Sequence, residues 1–184
     1  MSSFYSEEEL KDLGLKAFGR NVLISRKCSI YGAKNILLGS NVRIDDFCIL
    51  SGQITIGSNV HISAYNALYG SKGIEIGDFC GISPRCTLFS ATDDFSGEYM
   101  VSPMVPEEFT NVQGGKIVLT KYVQIGSGTI IMPNVVFGEG AATGAMSLIK
   151  SNVPAWKIYA GVPAKEIKER SRNLLKFAEK CKFN

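Results

Sequence analysis

Apolar residues recur along this chain every six positions. The series runs through Leu38, Ile44, Leu50, Ile56, Ile62 and Leu68. After two extra residues it resumes at Ile76, Ile82 and Leu88, and after a long break it returns at Leu119, Ile125, Ile131 and Phe137. Thr143 and Ile149 keep the spacing, and Ile24 and Ile30 form an earlier fragment. Glycine follows the head residue at 38, 56, 76, 125, 137 and 143. Four positions after the heads stands a small or β-branched residue: Val42, Cys48, Ile54, Val60, Cys80, Cys86, Val123, Thr129, Val135 and Ala141.

A helix needs apolar residues every 3.6 positions and an ordinary strand every two, so neither accounts for six. A short strand plus a turn does. Three such units close a triangular coil of about 18 residues, and coils stack as parallel strands about 4.8 Å apart. Heads and small residues then fill the narrow interior of an all-β solenoid. Cys48, Cys80 and Cys86 take the small inward position, and Cys28 follows Ile24 by the same four residues, so these four read as small buried hydrophobes. The five cysteines are odd in number and lack CxxC spacing, which argues for reduced thiols rather than a disulfide frame or a zinc site.

The ends carry helical signals. Ser6 followed by Glu9 is a capping box opening a helix over roughly 6–18, which would cover the exposed edge of the first coil. Pro163 reads as the first residue of a last helix, with Ile167, Leu174 and Phe177 as its apolar side. This divides the chain into a cap (1–19), a solenoid (20–163) interrupted by a loop (90–116), and a C-terminal helix (164–184).

Apolar content of 45% suffices for a core, and no apolar run is long enough to span a membrane. The N-terminus is polar with no apolar leader segment, so a cytoplasmic location is expected. Net charge is +3, concentrated in the last 21 residues; without interleaved aromatics this tail reads as a solvated face, not a nucleic-acid surface.

The hexad series, the interrupting loop, the stretch "IGSGTIIMPNVVFGEGAATGAMSLIK" and the closing "YAGVPAKEI" together resemble the hexapeptide-repeat acyltransferases, in particular sugar O-acetyltransferases of the galactoside and maltose acetyltransferase type. The resemblance covers roughly residues 20–165. It implies a left-handed parallel β-helix, a homotrimer with active sites between subunits, and an acyl-CoA donor, expected to be acetyl-CoA, with no metal. Ser127, Gly144 and Ala145 match positions that let pantetheine approach the backbone. Lys150, Lys165 and Lys168 match basic positions near the nucleotide phosphates and adenosine. Gln124 departs from the tryptophan that relatives often have.

In galactoside-type members the general base is a histidine early in the loop. Here Asp93 stands at that place, followed by Asp94. His61 is the only histidine, and hexad arithmetic puts it facing outward at a corner. His61 as base, with Asp93 or Asp94 of a neighbouring subunit orienting it, is the leading expectation; a loop carboxylate as base is the second. The expected reaction is acetyl transfer to a sugar hydroxyl. The alternatives are N-acetylation of a nucleotide-linked amino sugar and a non-catalytic scaffold. A zinc carbonic anhydrase of the same fold needs three histidine ligands and is disfavoured.

Overall fold

The computed structural model describes residues 3–180. Of the six-residue heads, Ile24, Leu38, Ile44, Leu50, Ile56, Ile62, Leu68, Ile76, Ile82, Leu88, Leu119, Ile125, Ile131, Phe137, Thr143 and Ile149 are all buried. So is every residue of the small series from Val42 to Ala141. Their inward stacking closes a left-handed parallel β-helix of about seven turns, an all-β solenoid with few helices. Each strand is three residues or fewer in most coils: a small inward residue, one outward residue, then the head, as in Val42–Ile44 and Val60–Ile62.

One face carries Val22–Ile24, Val42–Ile44, Val60–Ile62, Gly81–Ile82, Gln124–Ile125 and Ala142–Thr143 in parallel order. Its outward column includes Arg43, His61, Gly81, Gln124 and Ala142, fixed by the registers Arg43↔His61, His61↔Gly81, Gln124↔Gly81 and Gln124↔Ala142. The longer strands Ile49–Ile56 and Ala67–Ile76 bend round a corner and serve two faces, so Ala67–Ile76 pairs with both Thr87–Phe89 and Ile117–Leu119. The two extra residues in the hexad series fall in this bend, where Gly73 has φ +101°, a value L side chains rarely adopt.

Corners turn through left-handed residues. On one edge Asn21, Asn41 and Asn59 form an amide ladder, with Nδ2 to Oδ1 distances of 2.9 and 3.1 Å. A second edge carries the stacked rings of Phe47 and Tyr65, 5.0 Å apart, with Lys27 over the first and Arg85 over the second. Inside that edge buried Asn66 donates to the Ser63 carbonyl and accepts from the Cys86 amide, so its polar atoms are paired.

The ends differ from expectation. The Ser6–Glu9 capping box is present, but the helix is only Glu7–Asp12. Gly14 at φ +70° stops it, and Ala17–Phe18 joins the sheet beside Leu37 and Leu38. Buried Leu10 fixes the helix over the first coil. The expected C-terminal helix over 164–184 is corrected more sharply. Lys157–Gly161 and Ala164–Glu169 form an antiparallel hairpin, and a helix is confined to Leu174–Ala178. The turn at Val162–Pro163 reverses the chain, and the ladder of the preceding strand satisfies backbone groups that a helix would have paired internally. Residues 181–184 of the expected helix, Cys181 among them, lie outside the described residues. Among the described cysteines Cys48, Cys80 and Cys86 are buried, Cys28 is half-buried, and all four are free thiols. Burial pushes the Cys80 thiol up to about 12, so it acts as a hydrophobe.

The loop leaves the coil at Ser90 and returns at Gly115, whose amide donates to the Ser90 carbonyl at 2.9 Å. Ala91–Thr92 and Gln113–Gly114 pair antiparallel at its root. No described helix is long and apolar enough to cross a membrane.

Candidate active site

His61 occupies the centre of Val60–Ile62 and points outward from a flat face. It is not a corner residue: the strand includes the head that follows it, which the hexad count had placed beyond a turn. Its partner is also not the expected one. His61 Nε2 lies 2.8 Å from Asp45 Oδ2, and Asp45 Oδ1 accepts from Arg43 Nε at 2.7 Å. Asp45 escaped the sequence reading. The signal was there, because His61 stacks on Arg43 one coil earlier and Asp45 lies two residues beyond. Partial burial pushes the Asp45 carboxyl up, but hydrogen bonds from Arg43 and His61 outweigh it and hold it below the ordinary carboxylate range.

Above His61 the face opens at Gly81, over which the Gln124 amide lies. Gln124 Nε2 donates to Ser83 Oγ at 3.3 Å. Ser83 also escaped the sequence reading; it stands directly after the head Ile82, at the same edge as Asp45 and Ser63. Asp45, His61, Ser83 and Gln124 thus make a polar strip running across several coils.

The two loop aspartates are separated in role. Asp94 is tied up locally: Oδ1 accepts from the Ser96 amide at 2.7 Å and Oδ2 from Asn111 Nδ2 at 2.8 Å. Hydrogen bonding from the Ser96 side chain, then from its amide and from Asn111, holds the carboxyl below the ordinary range. The Asp93 carboxylate has no hydrogen-bond or ion-pair partner among the described residues. It lines a cleft of about 270 Å³ within the loop, with Ser102, Pro103, Val105, Glu107, Thr110 and Val112. The loop springs from the corner after Thr87–Phe89, whereas His61 sits on the face bounded by the other two corners. Within one chain no described contact joins His61 to Asp93 or Asp94.

Ser127, Gly144 and Ala145 are brought together on the edge that carries Ser83. The Met146 amide donates to the Ser127 carbonyl, and a Cβ on Gly126 would meet the Gly144 and Ala145 backbone at 2.6–2.7 Å. Gly126 and Gly144 therefore let the coils stack closely along this edge. A Cβ on Gly144 would also meet Ala160, which pairs with Lys165 across the hairpin. That sets Lys165 beside this edge. Lys168 lies further along the same strand, opposite Ile158. Lys150 lies apart, at the next corner beyond Leu148–Ile149. No group of three or more histidine, cysteine or carboxylate side chains that could hold a metal occurs among the described residues.

No family model matches the chain. An acyltransferase of dTDP-4-amino-4,6-dideoxy-D-glucose from Escherichia coli is 44% identical over 94% of this chain and 92% of its own length. The chain belongs to the hexapeptide-repeat acyltransferase family. Among solved structures of this family, AntD, an N-acyltransferase from Bacillus cereus in complex with dTDP and 3-hydroxybutyryl-CoA, is 53% identical, with a TM-score of 0.95 over 98% of this chain and 96% of AntD. A variant of AntD in complex with dTDP-4-amino-4,6-dideoxyglucose and coenzyme A is 52% identical, again with a TM-score of 0.95, over 98% of this chain and 97% of that one. A putative lipopolysaccharide O-acetyl transferase from Escherichia coli K12 matches only 38% of the chain, at 31% identity. The family likeness holds, but its expected type is corrected: the Escherichia coli relative at 44% identity, which matches nearly the whole chain, is an amino-sugar acyltransferase and not a galactoside or maltose O-acetyltransferase. The repeat specifies the solenoid core, so it does not separate hydroxyl from amine acceptors.

Proposed function

We propose that this hexapeptide-repeat acyltransferase is an acyl-CoA-dependent N-acyltransferase whose acceptor is a nucleotide-linked amino sugar of the dTDP-4-amino-4,6-dideoxyhexose class. The likeness to AntD along almost the entire chain carries the reading, since AntD has been crystallised with that class of acceptor and with acyl-CoA. The donor chain is left as acyl, because the AntD complex holds 3-hydroxybutyryl-CoA and not acetyl-CoA.

In this proposal the pantetheine arm runs along the edge of Ser127, Gly144 and Ala145, with Lys165 and Lys168 toward the nucleotide and Lys150 contributed from the next corner. The acceptor amine approaches the polar strip of His61, Ser83 and Gln124. Its nitrogen attacks the thioester carbonyl, the N–C bond forms, and the C–S bond breaks with the electron pair leaving on sulfur. His61 takes the amine proton, and that proton goes on to the thiolate. A backbone N–H near Ser127 stabilises the oxyanion between the two events.

A homotrimer is part of the proposal. Phe95 and Met104 in the loop are 87% and 89% exposed, and Tyr99, Met100, Val101 and Phe109 are exposed with them. Such an apolar cluster on a protruding loop is what a neighbouring subunit would cover. Covering it would carry Asp93 onto another chain's face.

Thiol release from acyl-CoA tests the function, with dTDP-4-amino-4,6-dideoxyglucose set against the matching 4-hydroxy sugar nucleotide. Release with the amino sugar alone is the expected result. Release with the hydroxy sugar alone, or with neither, overturns the reading.

A further inference from the structure

The polar strip contains one linkage that reaches beyond the reacting groups. Starting from the N-terminal segment, the Phe4 backbone bridges to Ser25, and the Arg43 guanidinium lies 5.4 Å from the Phe4 ring centroid. Arg43 donates to one Asp45 oxygen, and the other Asp45 oxygen meets His61 Nε2. The Asp45 side chain is 20% exposed and the imidazole 51%. The carboxylate is thus the sheltered anchor and the ring the group offered to solvent. We propose that Asp45, held by Arg43, is the positioning residue of His61 and makes Nδ1 the proton-accepting atom.

The argument is one of donors and acceptors. An ionised carboxylate only accepts, so the nitrogen facing it must carry the hydrogen. Nε2–H then donates to Asp45, and the lone pair free for chemistry is on Nδ1. Among the described residues Asp45 is the ring's one hydrogen-bond partner. From the preceding coil it is faced by Arg43 and Asp45, and Arg43 is committed to the carboxylate. From the following coil it is faced by Gly81, which has no side chain. The low-lying Asp45 carboxyl keeps the anchor ionised at neutral pH.

Every member of the linkage belongs to one chain, so the ring is oriented before subunits meet. Asp93 or Asp94 of a neighbour is not needed for that task. The proposal rests on His61 being the base, and the test separates the two. The chain has a single histidine, so histidine-selective 15N labelling of the whole protein yields one pair of ring nitrogens. Wild type is expected to show a protonated Nε2 with a slowly exchanging N–H and a bare Nδ1. Asp45→Ala should lose the slow exchange, and Asp45→Asn, which keeps an acceptor oxygen, should retain part of it. Turnover in Asp45→Ala should fall roughly 10–100-fold at unchanged acyl-CoA KM, a part of the 10²–10⁴ that a positioned base supplies. Asp45→Glu should recover some of that loss. A wild-type ring protonated at Nδ1, or an Asp45→Ala enzyme with normal kcat beside an inactive His61→Ala, overturns the positioning role alone. Normal turnover in His61→Ala overturns the base, while the spectrum still reads the Asp45 contact independently.

Discussion

A Cβ placed on Gly81 would sit 2.5 Å from the side-chain oxygen of Gln124. The absent side chain of one residue is the berth of the other, and that berth keeps Gln124 within reach of Ser83 Oγ. Because the obstacle is the tip of a flexible side chain, Gly81→Ala should fold and lose less than about 1 kcal/mol of stability. It should nevertheless push Gln124 off Ser83 and lower kcat/KM for the amino-sugar acceptor. Calorimetry and acceptor kinetics on the same preparation check both halves. A variant that melts normally and turns over normally would remove Gln124 from the site.

The two loop aspartates should separate cleanly. Asp94 closes the loop on itself through Ser96 and Asn111, so Asp94→Ala should speed proteolytic cleavage between residues 90 and 116. Asp93→Asn leaves every described hydrogen bond of the loop intact and should be cleaved at the wild-type rate. If Asp93 instead serves as the base, Asp93→Asn is the dead enzyme and His61→Ala the active one.

Lys165 stands beside the edge of Ser127, Gly144 and Ala145, and its side chain is exposed. Lys165→Glu should raise the acyl-CoA KM several-fold and leave the acceptor KM almost unchanged. The penalty should shrink in high salt, because exposed charges are screened within about 10 Å at 0.1 M. Equal damage to both Michaelis constants would argue that the donor does not run along this edge.

Acid should weaken the hold of the N-terminal cap on the first coil. Hydrogen bonds from Arg26 and from the Ser6 amide hold the Glu9 carboxyl down to about 2, against an ordinary value of 4.5. A carboxyl depressed on folding stabilises fully above its unfolded value and loses that contribution as pH falls through the folded one. Wild type should therefore melt above Glu9→Gln at pH 6, with the gap closing between about 4.5 and about 2. Thermal melts of both proteins across that window test the sign.

The core was legible in the sequence because its period comes directly from packing: an inward head and an inward small residue recur whatever the outward residues are. Outward residues obey no such rule. Hexad arithmetic gave His61 the right direction but the wrong place, since it could not tell which three of six positions form the strand. The C-terminal hairpin misread as a helix shows the complementary failure. Lysines and glutamates in "AKEIKE" favour helix locally, and only the neighbouring strand Lys157–Gly161, across the Val162–Pro163 turn, overrides them. Ser83 is hidden because its significance arises between coils, one full turn away from Gln124, and Asp45 is visible only through its place two residues beyond Arg43, on which His61 stacks.

The loop joins the coils at one narrow root, where Ala91–Thr92 pairs with Gln113–Gly114 and the Gly115 amide bonds the Ser90 carbonyl, and strands on either side keep their partners across it. Such an attachment makes the loop a replaceable part. A change in its length or composition would leave the register of the coils as it is. Selection on the loop and selection on whether the chain folds can then act on different segments of one chain, and neither has to wait for the other.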